Sequence, residues 1–248
     1  MKTLVITGGN KGIGASIAQA FYAAGYHVVI GARQDNGFAA KLPFRAKFVR
    51  TDVRREKDHV NLAQEALSWA GQVDVYVNCA GFSRWRPLSA IDEKFWNEML
   101  DTNLKGTLWG CKAAAKVLRK GGCIINISSL AGKRGGVNNS AYCASKFGVT
   151  GLTQALAKEL GPKGIRVNAV CPVYVETAGL MKALKEKSSP AKGKNTAAYL
   201  KKFAQEQSAL QRLPSGQDVA NACLFLASDA AASVTGQSLN VDCGVLPQ

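Results

Sequence analysis

Between Ser129 and Lys146 the chain reads SLAGKRGGVNNSAYCASK. Tyr142 and Lys146 stand four residues apart, about one helical turn, so the phenol and the ammonium share a face. A lysine beside a tyrosine favours the phenolate and is expected to bring the phenol below its reference value near ~10. A phenol tuned in this way donates a proton to a carbonyl being reduced, or accepts one from an alcohol being oxidised. Ser129 closes the apolar run 123–128, and its hydroxyl could hold the same substrate oxygen. Such a pair is common on solvated helix faces, so its weight depends on what the rest of the chain supplies.

The first supporting element is at the N-terminus. Residues 2–7 form an apolar run with strand character, followed by Thr7, Gly8, Gly9, Asn10, Lys11, Gly12, Ile13 and Gly14. A helical pattern over 15–24 comes next, stopped by Gly25. Strand, glycine turn and helix is the context a dinucleotide site requires. The glycines let the backbone approach a pyrophosphate, and the helix N-terminus offers it unpaired N–H groups. A second strand, 27–32, runs directly into Arg33. An acid at this strand end would bind an adenosine 2′-hydroxyl, whereas an arginine accommodates a 2′-phosphate. Here Ala32 takes the acid's place, and Lys11 lies in the glycine turn. Both features point to NADP(H), the alternative being that Arg33 and Lys11 are ordinary surface cations.

The remaining pattern alternates strands and helices. Strands are expected over 46–50, 73–78, 123–128, 165–170 and 238–241. Helices are expected over 56–70, 92–118 with a bend near Gly106, 142–160 and 217–226. Residues 179–207 are polar, lysine-rich and broken at Ser188, Ser189 and Pro190. No internal repeat or linker divides the chain, so a single domain over 1–248 is expected, with 179–206 as a lid over the substrate. Alternating strands and helices imply an α/β protein, one parallel sheet covered on both faces.

Composition narrows the class. At 47% hydrophobic residues the 248-residue chain can bury a large core, and no apolar run approaches the ~18 residues of a membrane span. Met1 and Lys2 lead straight into the first strand, leaving no room for a signal peptide. Seven scattered cysteines with no CxxC read as buried thiols in a reducing, cytoplasmic setting, and no metal site is implied. The net charge of +15 raises the question of nucleic acid. Its two clusters, Lys41 to Lys57 and Lys182 to Lys202, carry no known nucleic-acid motif. Solvated faces are the plain reading, and an anionic cofactor, substrate or carrier the sharper one.

Taken together these motifs resemble the short-chain dehydrogenase/reductase family, and the resemblance covers essentially the whole chain. Thr7, Gly8, Gly12 and Gly14 match TGxxxGxG. Asp52 and Val53 match the adenine-side pair. Asn78, Cys79, Ala80 and Gly81 match NNAG with one departure. Asn103, Ser129, Tyr142 and Lys146 match the four catalytic positions. Asn168 and Pro172 match NxxxPG, with Val173 for the glycine, and Val175 and Thr177 follow. Val241 to Gly244 match VDGG with Cys243 for a glycine.

The resemblance implies a single Rossmann-type doubly wound parallel sheet of about seven strands. It implies Tyr142 as the proton-transfer group, and Lys146 as its activator and a ligand of the nicotinamide ribose. Ser129 would hold the substrate oxygen, and Asn103 the water that links Lys146 to solvent. Gly8, Asn10, Lys11, Gly12, Ile13, Gly14, Arg33, Asp52, Val53, Asn78, Ala80, Gly81, Pro172, Val175 and Thr177 would bind the cofactor together with Tyr142 and Lys146. Valine disfavours positive φ, so the backbone at Val173 is expected to differ from a glycine's.

In this family the substrate pocket is lined by the segments after Gly81, after Ser129 and around 173–206. Here they bring Phe82, Arg84, Trp85, Arg86, Lys133, Arg134, Tyr174 and Met181. Such a lining suits an anionic, polyhydroxylated or carrier-bound carbonyl compound. Lys120 and Lys163 stand where similar carrier-protein reductases place docking residues. A homotetramer or dimer is implied, with Ala113, Ala114, Val149, Leu152 and Leu156 on outward helix faces. The lead reading is a carbonyl reductase, with 3-oxoacyl-carrier-protein reductase weighed against a sugar, polyol or secondary-metabolite dehydrogenase. A dinucleotide sensor without turnover and a nucleic-acid binder are the other classes. The intact catalytic set argues against the first, and the absence of a binding module against the second.

Overall fold

The computed structural model describes residues 1–247. The strands are β1 (Thr3–Thr7), β2 (His27–Ala32), β3 (Ala46–Arg50), β4 (Val73–Asn78), β5 (Leu118–Ile127), β6 (Arg166–Pro172) and β7 (Ser238–Val241). The main helices are α1 (Gly12–Ala23), α2 (Glu56–Ala70), α3 (Glu93–Leu100), α4 (Gly106–Val117), α5 (Ser140–Leu160), α6 (Ala178–Leu184), α7 (Thr196–Gln207) and α8 (Gly216–Ala227). The strands form one seven-stranded sheet in the order β3-β2-β1-β4-β5-β6-β7, with every neighbouring pair parallel.

Strand side chains alternate between two cores. Leu4, Ile6, Val28, Ile30 and Ile125 face α1 and α8 through Ile17, Phe21, Val219 and Leu226. Val5, Val29, Tyr76, Ile124 and Val167 face α2, α4 and α5 through Leu62, Ala66, Ala114 and Leu160. Burial on both faces explains why these strands read as continuous apolar runs. The strand order reverses between β1 and β4. A parallel sheet leaves a crevice at the carboxyl ends of its strands at such a point, where ligands bind.

Three expectations need correction. The helix expected over 92–118 is α3 and α4 joined by a π-helical turn at Asp101–Lys105, so the bend lies just before Gly106. β5 begins at Leu118, because Leu118 pairs with Val73 across an irregularity in the register ahead of the apolar run. Ala113, Ala114 and Val149 do not face outward: they are at most 3% exposed, since α4 and α5 turn these faces to the rest of the chain. Leu152 and Leu156 are half-buried, while Leu108 and Phe147 are the exposed apolar residues nearby.

The 179–207 stretch is more regular than its composition suggests. It holds α6 and α7, and the break at Ser188 to Pro190 lies between them. Both helices pack around Trp85, from the loop after β4, in a small core with Ala183, Leu184, Ala191 and Leu200. All seven cysteines are free thiols, five of them buried and Cys79 and Cys243 half-buried.

Candidate active site

At the carboxyl end of β1 the chain turns sharply. The Thr7 hydroxyl accepts hydrogen bonds from the N–H groups of Cys79 (3.1 Å) and Ala80 (3.2 Å), tying the turn after β4 to the glycine turn. Gly8 has φ +68° and its N–H donates to Gly31 O at 2.7 Å. A Cβ on Gly14 would lie 2.2 Å from Gly8 O, so α1 can begin this close to β1 only with glycine there. Lys11, the N-cap of α1, makes no side-chain capping bond. The first-turn N–H groups of α1 therefore lack the side-chain partner a cap usually supplies. Across the turn a Cβ on Gly12 would meet only Thr177, at 3.4 Å. An uncapped helix N-terminus beside a glycine turn suits a diphosphate.

Arg33, at the end of β2, and Lys11, in the glycine turn, are both exposed. The Asn10 amide donates to Gln34 O at 2.9 Å, and the Asn36 amide to Asn10 O at 2.9 Å. The Asp52 carboxylate accepts from Arg54 Nε at 2.9 Å and pairs with its Nη2, which holds it below the usual carboxylate range. Arg33 adds a smaller pull in the same direction, so it lies within electrostatic reach of Asp52.

His59 is fully buried behind this corner, with Nε2 3.1 Å from Val53 O and Nδ1 3.1 Å from the Tyr76 hydroxyl. A carbonyl can only accept, so Nε2 carries the hydrogen and Nδ1 accepts from Tyr76. Burial pushes the His59 pKa down to about 4. The Asn78 side chain turns away from the crevice: its amide donates to Asn126 Oδ1 at 2.9 Å, and a Cβ on Gly110 of α4 would overlap it. Val175 is buried in the core beside α1, and Ile13 packs against the same core. Pro172 ends β6 opposite Val241.

The four expected catalytic residues converge. The Ser129 hydroxyl stands near enough to the Tyr142 phenol to draw its pKa down, against the larger opposing effect of burial. Lys146 Nζ lies 5.8 Å from the Tyr142 ring centroid and donates to Ile127 O at 2.8 Å. The Ser128 hydroxyl donates to Lys146 O at 3.0 Å, a second tie between α5 and the end of β5. The π turn carries Asn103 inward. Its amide donates to Phe82 O (2.9 Å) and Ser145 Oγ (3.2 Å), and its Oδ1 accepts from Phe82 N at 3.0 Å. Built at Gly81, a Cβ would lie 2.9 Å from Asn103 Oδ1 and 3.6 Å from Lys146 Nζ. Asn103 thus fixes the Gly81 corner beside the lysine.

The electrostatics correct one expectation. Burial, the largest influence, pushes the Tyr142 phenol up to about 12, and the nearby Ser129 hydroxyl offsets this only in part. Burial also pushes Lys146 down to about 8. Near neutral pH the site therefore presents a protonated phenol and a largely protonated ammonium, an arrangement set to donate a proton. Val173 avoids positive φ and packs in a cluster with Leu130, Cys171 and Val245. The left-handed residues near the chain's end are Cys243, at φ +55°, and Gly244, at +80°.

Sequence reasoning did not find the Arg54 clamp on Asp52, the His59–Tyr76 pair or the anchoring role of Trp85. The one signal present was Asp52 and Arg54 at a spacing of two. The other partners lie 17 residues or more apart, and no local pattern connects them.

A family model described as enoyl-(acyl carrier protein) reductase matches residues 8–246. A "Monensin polyketide synthase putative ketoacyl reductase" of Streptomyces virginiae is 37% identical, over 99% of this chain and 97% of its own length. A 3-oxoacyl-[acyl-carrier-protein] reductase of Staphylococcus epidermidis is 35% identical over 98% of both. A short-chain dehydrogenase/reductase from Brucella melitensis superposes with a TM-score of 0.90 at 32% identity, over 100% of this chain and 97% of its own. An actinorhodin polyketide ketoreductase solved with NADPH also gives 0.90 at 32% identity, over 98% of this chain and 97% of its own. With the sheet order, the glycine turn and these relatives in agreement, the chain belongs to the short-chain dehydrogenase/reductase family of oxidoreductases.

Proposed function

We propose that the protein transfers a hydride between NADP(H) and a carbonyl or secondary alcohol. The observation that carries this is the Lys146 ammonium, anchored on Ile127 O at 2.8 Å and held 5.8 Å from the ring of the Tyr142 phenol, with the Ser129 hydroxyl at the same phenol. When bound, the dinucleotide supplies the hydride. Tyr142 gives its proton to the substrate oxygen, and Ser129 holds that oxygen as negative charge builds on it. Lys146 provides positive charge beside the phenol and binds the ribose. Asn103 holds the Gly81 corner, and a water on it would return protons to Lys146. The uncapped N-terminus of α1 receives the diphosphate, and Arg33 with Lys11 takes the 2′-phosphate. The whole chain works as one domain, with 179–206 as the lid.

Tyr142→Phe removes only the transferable proton. Turnover should fall by about 10²–10⁴-fold, the usual size of a general acid–base contribution, while NADPH binding is retained. A variant that keeps more than about a tenth of wild-type activity would show that another group is the acid.

A carrier-bound 3-oxoacyl substrate is the favoured form of this reading over a sugar, polyol or secondary-metabolite substrate. The Gly121 N–H donates to Gly164 O at 2.8 Å, bringing the turns that carry exposed Lys120 and Lys163 together. Relatives named as carrier-protein reductases support it. The protein works as a homotetramer or dimer, because Leu100, Leu104, Leu108 and Leu152 line an apolar groove of about 480 Å³ where the π turn meets α5. Light scattering should show a particle larger than the 26.3 kDa chain, and a monomer at micromolar concentration would contradict the assembly.

A further inference from the structure

Two arginines from the loop after β4 meet at one aromatic ring. The Arg86 guanidinium carbon lies 4.3 Å from the Phe95 ring centroid and that of Arg84 lies 5.9 Å from it. Phe95 belongs to a small apolar cluster with Met99 and Ala141, against which Phe82 and Tyr142 also pack. Two like charges beside one buried ring repel each other unless an anion sits with them. Among the described residues the anion they have is Glu186, whose Oε1 accepts from Arg84 Nε at 3.0 Å. Arg86 has no carboxylate partner among the described residues, so the pair keeps an excess positive charge.

Glu186 is unusual in its own segment. It is the only acid between residues 179 and 202, a stretch otherwise rich in lysine. It sits on the proposed lid rather than on the frame that holds the arginines. The neighbouring contacts hold the same seam: Ser188 Oγ donates to Trp85 O at 2.9 Å, and the Asn138 amide to Ser188 O at 3.2 Å. The Arg86 N–H donates to Asn138 O at 2.6 Å, bringing this loop against the one that follows Ser129. Arg134, half-buried on that second loop, also lacks a carboxylate partner among the described residues; it lies within electrostatic reach of the Tyr174 phenol, whose pKa burial raises in spite of it. The loops after β4 and after Ser129 are therefore both cationic beside the cluster against which Tyr142 packs, with one acid facing them from the 179–207 segment.

We infer that Arg84 and Arg86 recognise a carboxylate or phosphate on the substrate, and that Glu186 is the internal anion this group replaces. The inference rests on the hydride-transfer reading and specifies its substrate class: carbonyl compounds bearing an anionic group within reach of the reacting carbon. Arginine suits the task because its planar fork matches both carboxylate and phosphate, and because stacking on an aromatic ring holds it in place. On displacement the Glu186 carboxylate keeps its charge and is solvated by water, since its side chain is already 31% exposed.

The test compares three substrates with NADPH: acetoacetate, its neutral ethyl ester, and S-acetoacetyl phosphopantetheine. Acetoacetate reports a free acid, and the phosphopantetheine thioester reports the phosphate of a carrier arm. Calorimetric titration of acetoacetate and of inorganic phosphate gives binding independently of turnover. At least one anionic substrate should have a KM about tenfold or more below that of the ester, the size expected of one charge-assisted contact. Arg84→Gln should erase that ratio, Arg84→Lys should keep part of it, and Glu186→Gln should enlarge it by lowering the KM of the anion.

A ratio unmoved by Arg84→Gln and Arg86→Gln overturns the inference, as does weaker anion binding in Glu186→Gln, which would mean that Glu186 only fastens the lid. Turnover of ester and anions with equal KM values in the wild type sinks the inference and leaves the hydride-transfer reading standing. Calorimetric anion binding that Arg84→Gln abolishes, in a protein that reduces none of the three, supports the anion site and counts against the hydride-transfer reading.

Discussion

The two ends of the crevice are held by different kinds of bond. At the glycine-turn end every tie is donated by a main-chain N–H: Gly8 to Gly31 O, and Cys79 and Ala80 to the Thr7 hydroxyl. At the other end the proposed lid is fastened by side chains, Arg84 to Glu186 and Ser188 to Trp85 O, around a core separate from those of the sheet. Backbone ties inside a parallel sheet open only with the whole domain, whereas a small satellite core can open alone. A fixed end suits a ligand shared across a family. A separately fastened end can change with each substrate without disturbing the sheet.

The strongest attack on this contrast is Trp85→Ala. Trp85 is 4% exposed and sits among the lid residues. Its truncation should cost about 3–5 kcal/mol, the range for a buried aromatic in a core. Because the lid core is separate, most of that cost should appear as local opening. Trypsin should cut at the lysines of 182–202 at least tenfold faster in the variant, while the cooperative unfolding of the sheet moves much less. In the wild type, NADPH with substrate should slow the same cleavage. Equal loss of lid and sheet stability would show that the two ends are one unit.

The next largest effect tests the fixed end. Arg33 and Lys11 are exposed, so salt screens their contacts. NADPH should be preferred over NADH by roughly ten- to a few-hundred-fold, from charge-assisted contacts of about 1.5–3 kcal/mol each. Arg33→Ala should raise the dissociation constant for NADPH far more than that for NADH. A higher catalytic efficiency with NADH on the wild type would mean that both are surface cations.

The smallest effect is a pH dependence that joins the two ends at the catalytic residues. Lys146 is pushed down to about 8 from 10.5, and Tyr142 up to about 12. The ammonium is the competent form, and it is lost as pH rises through about 8. Tyr142 stays protonated across that range. Carbonyl reduction should be flat below pH ~8 and then fall by up to about tenfold per unit. A rate that keeps rising through pH ~9 would show that deprotonated Lys146 is the useful form.

Much of the sheet was legible because each strand is a short apolar run bounded by glycine or polar residues. β2, β3, β4 and β7 have the bounds expected of them. The glycine turn was legible because only a backbone approach explains Gly8 and Gly14 together. The outward faces of α4 were misjudged for a definite reason. A π turn inserts one extra residue per turn, which rotates everything downstream by about 100° relative to an unbroken helix. Ala113 and Ala114 lie downstream of that turn and are buried, a rotation that the sequence pattern does not announce. The pKa of Tyr142 was misjudged because neighbouring charge can be read from spacing, whereas the desolvation that dominates it cannot.

The thiols have a use as reporters. Burial pushes Cys79 and Cys111 up to about 12 and Cys123 up to about 11. Only thiolates are alkylated or oxidised at useful rates, so these sulfurs are nearly inert while the chain is folded. Each recovers the ordinary acidity of cysteine when its surroundings open. Cys111 and Cys123 lie on opposite faces of the sheet, in the two separate cores. A pulse of an alkylating reagent followed by mass analysis would then record, sulfur by sulfur, which core loosens first, with no label or substitution added to the protein.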